Sequence, residues 1–408
     1  MSSDHTQRFS AHLLGRIQKA RDRALTFLRS LRTPEGYRYT ATHDENRYPA
    51  ALLYGTWSSV LGRVLGEGPA AWNGVEREHA VRSVLKHRRA DRSFLPVGLE
   101  SQRTRPSVEY LVLHCTNYSH GALIELEPDY DFETPYLHRF LDGDFLSRWL
   151  EGRSLLRPWE EGNNIVNVAS YLALCHRKGV RGASDRLEQM LAWHRARQNP
   201  KTGGFDAFES PSPTQRLETF AGAVHNFHLH LHLRERLGAE DQIAAHVYHF
   251  LYKGPLSACL SIDLVELTLR TLPNAPRPQE SVWALLSHAN ALLRFQRLDG
   301  GWPEKDDPRA VCVAAGFRDS APSSCSYATW FRLCALAIVA ICLLGDSPAR
   351  WHFRNTLGMG YAPPYWPKIP PGLSLSLPPF PARVQQYLRG LCEQSKQALI
   401  RTARRLLQ

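Results

Sequence analysis

Gln296-Arg297-Leu298-Asp299-Gly300-Gly301-Trp302, followed by Pro303 and Glu304, sits between two strongly helical segments. Upstream, Pro278 to Phe295 carries apolar residues at helical spacing; downstream, Cys325 to Leu344 is a long, nearly uncharged run. The two glycines permit a sharp reversal with φ > 0 and no Cβ cost. The glutamine can bond backbone groups at a helix end, and the tryptophan can plug the gap beneath the turn. The stretch therefore reads as the junction of a helix hairpin.

Working outward, apolar spacing predicts helices over His12–Leu31, Asn46–Leu65, Val75–Arg88, Ser107–Leu126, Thr134–Glu151, Asn164–Arg177, Ser184–Gln198, Thr214–Leu237, Asp241–Tyr252 and Ser261–Leu272. With the flanking pair this makes about twelve. No segment alternates with period two between turn residues, so the expected class is all-α. Turns of glycine, proline or small residues end in an aromatic near Tyr37, Phe94, Trp159, Phe205 and Trp302, and Lys253-Gly254-Pro255 supplies a turn in the remaining gap. Their interval is roughly 50 residues, one helix hairpin, and a fixed period of that size signals a repeat architecture. Gln198 to Phe205 is a decayed copy of the opening stretch. Six hairpins of alternating outer and inner helices would close an (α/α)6 toroid; a stacked α-solenoid is the alternative, although solenoids usually keep a clearer consensus. The toroid is expected over residues 1–350. A proline-rich segment over 351–382 would lie across its surface, and residues 383–408 would form a terminal basic amphipathic helix.

Gln296–Trp302 resembles the QW motif of the terpenoid cyclase and protein prenyltransferase superfamily, whose members fold as α/α toroids. The resemblance covers this motif, its decayed copy and the repeat period, and implies fold more than activity. Class II terpene cyclases of that superfamily protonate an isoprenoid with an aspartate of a DxDD motif, which this chain lacks. Asp129-Tyr130-Asp131-Phe132-Glu133 copies its letters but follows an inner helix and is expected at the opposite end of the barrel. Glu304, Asp306 and Asp307 belong at the correct end, in a loop where they are expected to be solvated. The DDxxD and NSE/DTE metal-binding motifs are absent as well.

Composition is that of an ordinary globular chain, and the net charge of +11 favours anionic partners without choosing among them. MSSDHTQRFSAHLLGR has no apolar core of a signal peptide. Leu333–Leu344 is the most apolar stretch and shorter than the span of about 20 residues a membrane requires. The eight cysteines are scattered without a CxxC pair, as expected of reduced, buried thiols in a cytoplasmic protein. Arg383–Gln408 has two readings, a solvated face on a helix packed against the barrel or a peripheral membrane contact. Basic residues do not interleave with aromatics as in a nucleic-acid reader, so no nucleic acid is expected as partner.

In an (α/α)6 barrel the plugged turns all lead from an outer helix into an inner one. The inner-helix N-termini then share one rim around a central cavity, where dipole ends and free N–H groups suit anionic or electron-rich ligands. The polar residues expected there are His43, Asp44, Glu45 and Asn46; Asn163, Asn164 and Asn167; Arg216 and Glu218; Cys259 and Asp263; and Ser323, Ser324, Cys325 and Ser326. Asp, Asn and Ser also serve as ordinary N-caps. Asn163-Asn164 with Asn167, and His43-Asp44, exceed what a cap requires. Asp44 or Asp263 is the expected proton donor, His225 the base or ligand, and the asparagines and His43 the positioning groups. Tyr48, Trp57 and Tyr327, with Tyr54, Tyr118, Phe227 and Trp330, are the expected aromatic lining, able to hold a hydrophobic or cationic ligand.

His225, His228 and His232 fall at i, i+3 and i+7, while His230 points elsewhere. Such a stripe can bind a metal or shuttle protons, but a single metal rarely takes three ligands along one helix. Cys259 and Asp263 could complete a ligand set with His225. Protein prenyltransferases use those ligand types for zinc, yet the local patterns differ, and the sequence requires no cofactor.

Three functions fit these features. The first is a terpenoid-cyclase-like enzyme using acid/base chemistry on a hydrophobic or prenylated small molecule in the central cavity. The second is a glycan lyase or hydrolase of the α/α-toroid type, with asparagines and His225 on an acidic sugar, Tyr48 or Tyr327 as acid/base and Trp57 stacked on the ring. The third is a non-catalytic toroid that binds a lipid or protein partner.

Overall fold

The computed structural model describes residues 3–96, 98–99, 106–251, 256–305, 309–312, 316–373 and 375. Among these residues thirteen α-helices carry the fold, beside two small antiparallel hairpins, so the chain is all-α. Six helices are buried along most of their length: α2 (Pro49–Glu67), α4 (Val108–Leu126), α7 (Pro158–Arg177), α9 (Pro213–Leu233), α11 (Ala258–Arg270) and α13 (Ser326–Leu344). A helix that is apolar nearly all round is stable only in the interior. Each packs on the next, α2 on α4, α4 on α7, α7 on α9, α9 on α11 and α11 on α13, and α13 returns to α2.

The other long helices bury one face against these six. α1 (Ser3–Ser30) packs on α2 and α13, α3 (Gly74–Leu85) on α2 and α4, and α8 (Ala183–Arg197) on α7 and α9. α10 (Glu240–Tyr248) packs on α9 and α11, and α12 (Pro278–Phe295) on α13 and α1. The segment predicted as one helix over Thr134–Glu151 is two, α5 (Pro135–His138) and α6 (Gly143–Glu151). Asp142 restarts the helix by accepting the Phe145 N–H at 2.8 Å.

The junction between α12 and α13 has the predicted anatomy. Gly300 sits at φ +93°, and a Cβ there would run into the backbone carbonyl of Arg23. The Gln296 amide donates to the carbonyls of Gly300 (2.7 Å) and of Ala20 in α1 (2.8 Å). Trp302 is fully buried and its indole N–H donates to the Leu292 carbonyl at 2.7 Å. The junction between α8 and α9 repeats the device: Gly203 has φ +75°, Gln198 donates to its carbonyl at 2.8 Å, and Phe205 is buried.

A further repeat is built on threonines. The backbone N–H of Tyr37 donates to Thr56 Oγ1 (3.1 Å), that of Phe94 to Thr116 Oγ1 (3.0 Å) and that of Trp302 to Thr329 Oγ1 (3.0 Å). In each case a buried aromatic at the end of a turn is clasped by the inner helix that follows. Trp159 departs from the series, because it lies inside α7, whose start is set by Pro158 and by Glu160 and Glu161 in the first turn.

Four short strands were not foreseen. β1 (Arg32–Thr33) pairs with β2 (Gly36–Tyr37), and β3 (Arg309–Cys312) with β4 (Phe317–Pro322). Segments this short show no readable alternation. After α13 the chain turns inward before reaching its proline-rich part. Trp351, Phe353, Leu357, Met359 and Tyr361 are buried, and Arg354 is inserted over the Tyr118 ring at 4.5 Å, where it donates to Asn117. Ala362–Gly372 stays half-buried or exposed, at the surface. The predicted helix Arg383–Gln408, the Lys253–Pro255 turn and Asp306 and Asp307 lie outside the described residues.

One helix among the described residues, Ser326–Leu344, is long and apolar enough to cross a membrane by length and composition. It is a core helix here, packed by α1, α2, α11 and α12.

Candidate functional site

All six buried helices, α2, α4, α7, α9, α11 and α13, contribute to one cavity of about 460 Å³. Its wall is aromatic: Tyr54 of α2, Tyr110, His114 and Tyr118 of α4, Trp159 of α7 and Tyr327 of α13, with Tyr39 from the loop before α2. Met359, from the inward turn after α13, also lines it. Tyr110 stacks on His114 (5.4 Å between centroids, 19° between planes), and Tyr54 stacks on the same imidazole at 6.0 Å. The polar lining is Glu160 and Asn163 of α7, Glu218 and His225 of α9, Cys259 of α11, and Arg157, Ser257, Glu304 and Lys305 from loops.

Glu304 is the feature least like its sequence expectation. It is not solvated in a loop but 9% exposed, and among the described residues its Oε2 has no hydrogen-bond partner. Its backbone carbonyl explains the placement, since it accepts from Ala258 N–H (3.1 Å) and from the buried Arg332 guanidinium (3.0 Å). These bonds fasten the loop after Trp302 to the start of α11 and turn the carboxyl inward. Burial pushes the Glu304 carboxyl up to about 7, against the pull of Arg332 and Lys305.

His114, His225, Tyr110, Tyr118, Tyr327 and Cys259 of the wall are held neutral. Burial drives His114 down to about 3, helped by His225 and Arg354, and drives His225 down to about 4. His225 Nδ1 is 2.6 Å from the Ala221 carbonyl. A carbonyl can only accept, so Nδ1 carries the proton and Nε2 keeps its lone pair. Burial likewise raises Tyr110, Tyr118, Tyr327 and the Cys259 thiol. Cys259 Sγ lies 3.9 Å from Asp263 Oδ2. Asp263 is fully buried one turn further along α11, outside the cavity lining, with Oδ1 unpartnered; burial first, and then the Glu266 charge, raise its carboxyl well above the usual range.

Of the residues singled out from sequence, His225, Asn163, Glu218, Cys259, Tyr54, Tyr118 and Tyr327 come together on the cavity. Asp44 does not: it is exposed, and its carboxylate accepts the N–H groups of Asn46 (3.0 Å) and Arg47 (3.2 Å), closing the turn before α2. His43 is buried beneath that turn, its ring held between Tyr39 N–H (3.1 Å) and the Tyr48 carbonyl (2.9 Å). Tyr48 packs on Phe317 of β4, away from the cavity. Trp57 lies behind the wall, stacked on Tyr118 at 4.7 Å, and presents no face to a ligand.

Asn163, Asn164 and Asn167 are inside α7 rather than at its cap. Asn164 donates to Glu161 at 3.1 Å, and Asn167 accepts from Asn117 at 2.7 Å in the network that holds Arg354. The histidine stripe is divided among partners: His228 bonds Glu266 at 3.0 Å and His232 bonds the Tyr361 hydroxyl at 2.8 Å. Among the described residues no group of three or more His, Cys, Asp or Glu side chains is disposed to hold a metal ion. The DxDD-like Asp131 is exposed and paired with Arg92 at 2.7 Å.

Glu304 could have been found from its position two residues after the plugging Trp302, on the link between two buried elements. Tyr110 and Met359 carried no local signal. Compared with protein-family models, with curated proteins and with solved structures, the chain matches none.

Proposed function

We propose that the chain is an (α/α)6 toroid and an enzyme performing acid/base chemistry on a largely apolar small molecule in its central cavity, in the manner of a terpenoid-cyclase-like isomerase or cyclase. Support for the toroid comes from the closed succession of inner helices, from the outer helices between them and from the repeated turn clasps. One observation carries the chemistry. Of the three carboxyl groups on the aromatic cavity, Glu304 has a buried oxygen without a partner among the described residues and titrates near neutral pH. A general acid or base works best when its pKa lies near the operating pH, since it can then both give and take a proton.

The same value narrows the reaction. A carboxyl at about 7 is a weaker acid than an ordinary one. It suits proton transfer to oxygen, or removal of a proton made acidic by a neighbouring carbonyl, rather than protonation of an isolated alkene. His225, neutral with Nε2 unprotonated, is placed to accept a hydrogen bond from the substrate and to position it. Asn163 and the hydroxyls of Tyr110 and Tyr327 are the other orienting groups on the wall.

A glycan lyase or hydrolase is the second reading, favoured by Asn163, His225, Tyr327 and Arg157 lining one cavity. Trp57 and Tyr48 drop out of it. Native mass spectrometry of freshly purified protein, with extraction and identification of bound molecules, separates these. An apolar molecule bound one to one, kept in Glu304→Gln and lost in the cavity-filling Cys259→Trp, is the expected result. A bound acidic saccharide would favour the second reading. An empty protein whose melting temperature no apolar alcohol, ketone or hydrocarbon raises would leave the enzyme reading without support.

A further inference from the structure

Several of the first N–H groups of the helices around the cavity are engaged by the chain itself, and an anion site needs free N–H groups there. At α4 the Tyr110 N–H donates to Ser107 Oγ (3.2 Å), and at α9 Ser212 and Gln215 form a closed reciprocal pair. At α11 the Ala258 N–H donates to the Glu304 carbonyl, and at α13 the Ser326 N–H donates to the Tyr39 carbonyl at 2.9 Å. α7 begins with Pro158, which has no N–H, and sets Glu160 and Glu161 in its first turn. Among the described residues the lining carries three carboxyl groups, Glu160, Glu218 and Glu304, against two cations, Arg157 and Lys305. Arg157 is committed to Glu160 at 3.1 Å and to Glu161 at 3.6 Å. A phosphate or carboxylate entering here would meet three carboxyl groups and aromatic rings, with Lys305 and the tyrosine and serine hydroxyls left to replace its water. What the cavity does offer is the Glu304 Oε2 without partner, the Ser257 Oγ without partner, and the His225 Nε2 lone pair.

We infer that the cavity selects an uncharged molecule with an apolar body and at least one hydroxyl, the hydroxyl donating to His225 Nε2, and that it rejects the phosphorylated or carboxylated form of the same skeleton. The inference rests on the small-molecule cavity proposed above and names its substrate class. It runs against the expectation from the net charge of +11 and from helix dipoles, both of which favour anions.

Isothermal titration calorimetry on the full chain tests it with matched sets: geraniol and farnesol, their diphosphates, and 2-naphthol with 2-naphthyl phosphate. At least one alcohol should bind ten times or more tightly than its phosphorylated partner. His225→Phe, which keeps the wall aromatic, should lower affinity for that alcohol at least fivefold while leaving a hydrocarbon of the same skeleton unchanged. Should His225→Phe fold poorly by circular dichroism, the wild-type ratio decides alone. Tighter binding of a diphosphate or naphthyl phosphate would overturn the selectivity and leave the apolar cavity standing. Binding of none of the six would overturn the cavity reading together with the inference.

Discussion

Replacing Glu304 by glutamine keeps the shape of the side chain and removes its titration. The ordinary carboxylate value is about 4.5, and burial raises the native one to about 7. A group raised on folding lends its full stability below the unfolded value, and that contribution is lost as pH climbs through the folded one. At about 1.4 kcal/mol for each pH unit of difference, the loss reaches about 3 kcal/mol at full ionisation, and about 2 kcal/mol of it falls between pH 5 and pH 7. Glutamine suffers none of this. Urea unfolding of wild type and Glu304→Gln at pH 5, 6, 7 and 8, followed by tryptophan fluorescence, should therefore show the variant gaining on wild type by about 2 kcal/mol across the first two units and by little more at pH 8. Parallel stabilities from pH 5 to pH 8 would show that Glu304 titrates like a solvated carboxyl and is not the acid/base group. A variant that loses ground as pH rises would mean that Arg332 and Lys305 stabilise the carboxylate more than burial opposes it.

Asp263→Asn should also gain on wild type as pH rises, because the native carboxyl is raised and the stability it lends when protonated is lost on ionisation; differential scanning calorimetry at pH 5 and pH 8 checks the sign. Gly300→Ala forces a Cβ toward the Arg23 carbonyl at a left-handed position and should cost about 1–3 kcal/mol, read from the urea midpoint. Trp302→Ala leaves a hole under the same turn and should cost about 3–5 kcal/mol, enough to reduce soluble yield. Thr116→Val and Thr329→Val each strip an acceptor from a buried N–H and should cost about 1–3 kcal/mol apiece. Their double variant should be additive within about 0.5 kcal/mol, since they serve different junctions.

Much of the helical pattern was legible from spacing and caps alone, and most helix boundaries fall within a few residues of their predicted positions. The turn at Gln296–Trp302 was legible for the same reason, because glycine, glutamine and tryptophan there each have a local task. The site was legible only in part. His225, Asn163, Tyr327 and Cys259 were found because polar residues in apolar inner helices stand out. Asp44 failed because an aspartate that closes its own turn looks, in sequence, like one that faces a ligand. Glu304 was misjudged because its burial follows from hydrogen bonds made by its backbone to α11 and Arg332, which no side-chain pattern records. Arg354 and Met359 were missed because their placement depends on a chain reversal after α13.

The contact that brings α13 back to α2 joins segments more than 250 residues apart in sequence. During synthesis α2 emerges early, and its flank toward α13 stays bare while four other inner helices are made. Non-local pairing of this kind closes late and leaves apolar surface open in the meantime. The helix that finally fills the slot is also the one segment among the described residues apolar enough to be mistaken for a membrane span. α13 thus closes the last contact late with a highly apolar face, and the yield on overexpression should depend on how fast it finds the gap between α11 and α2.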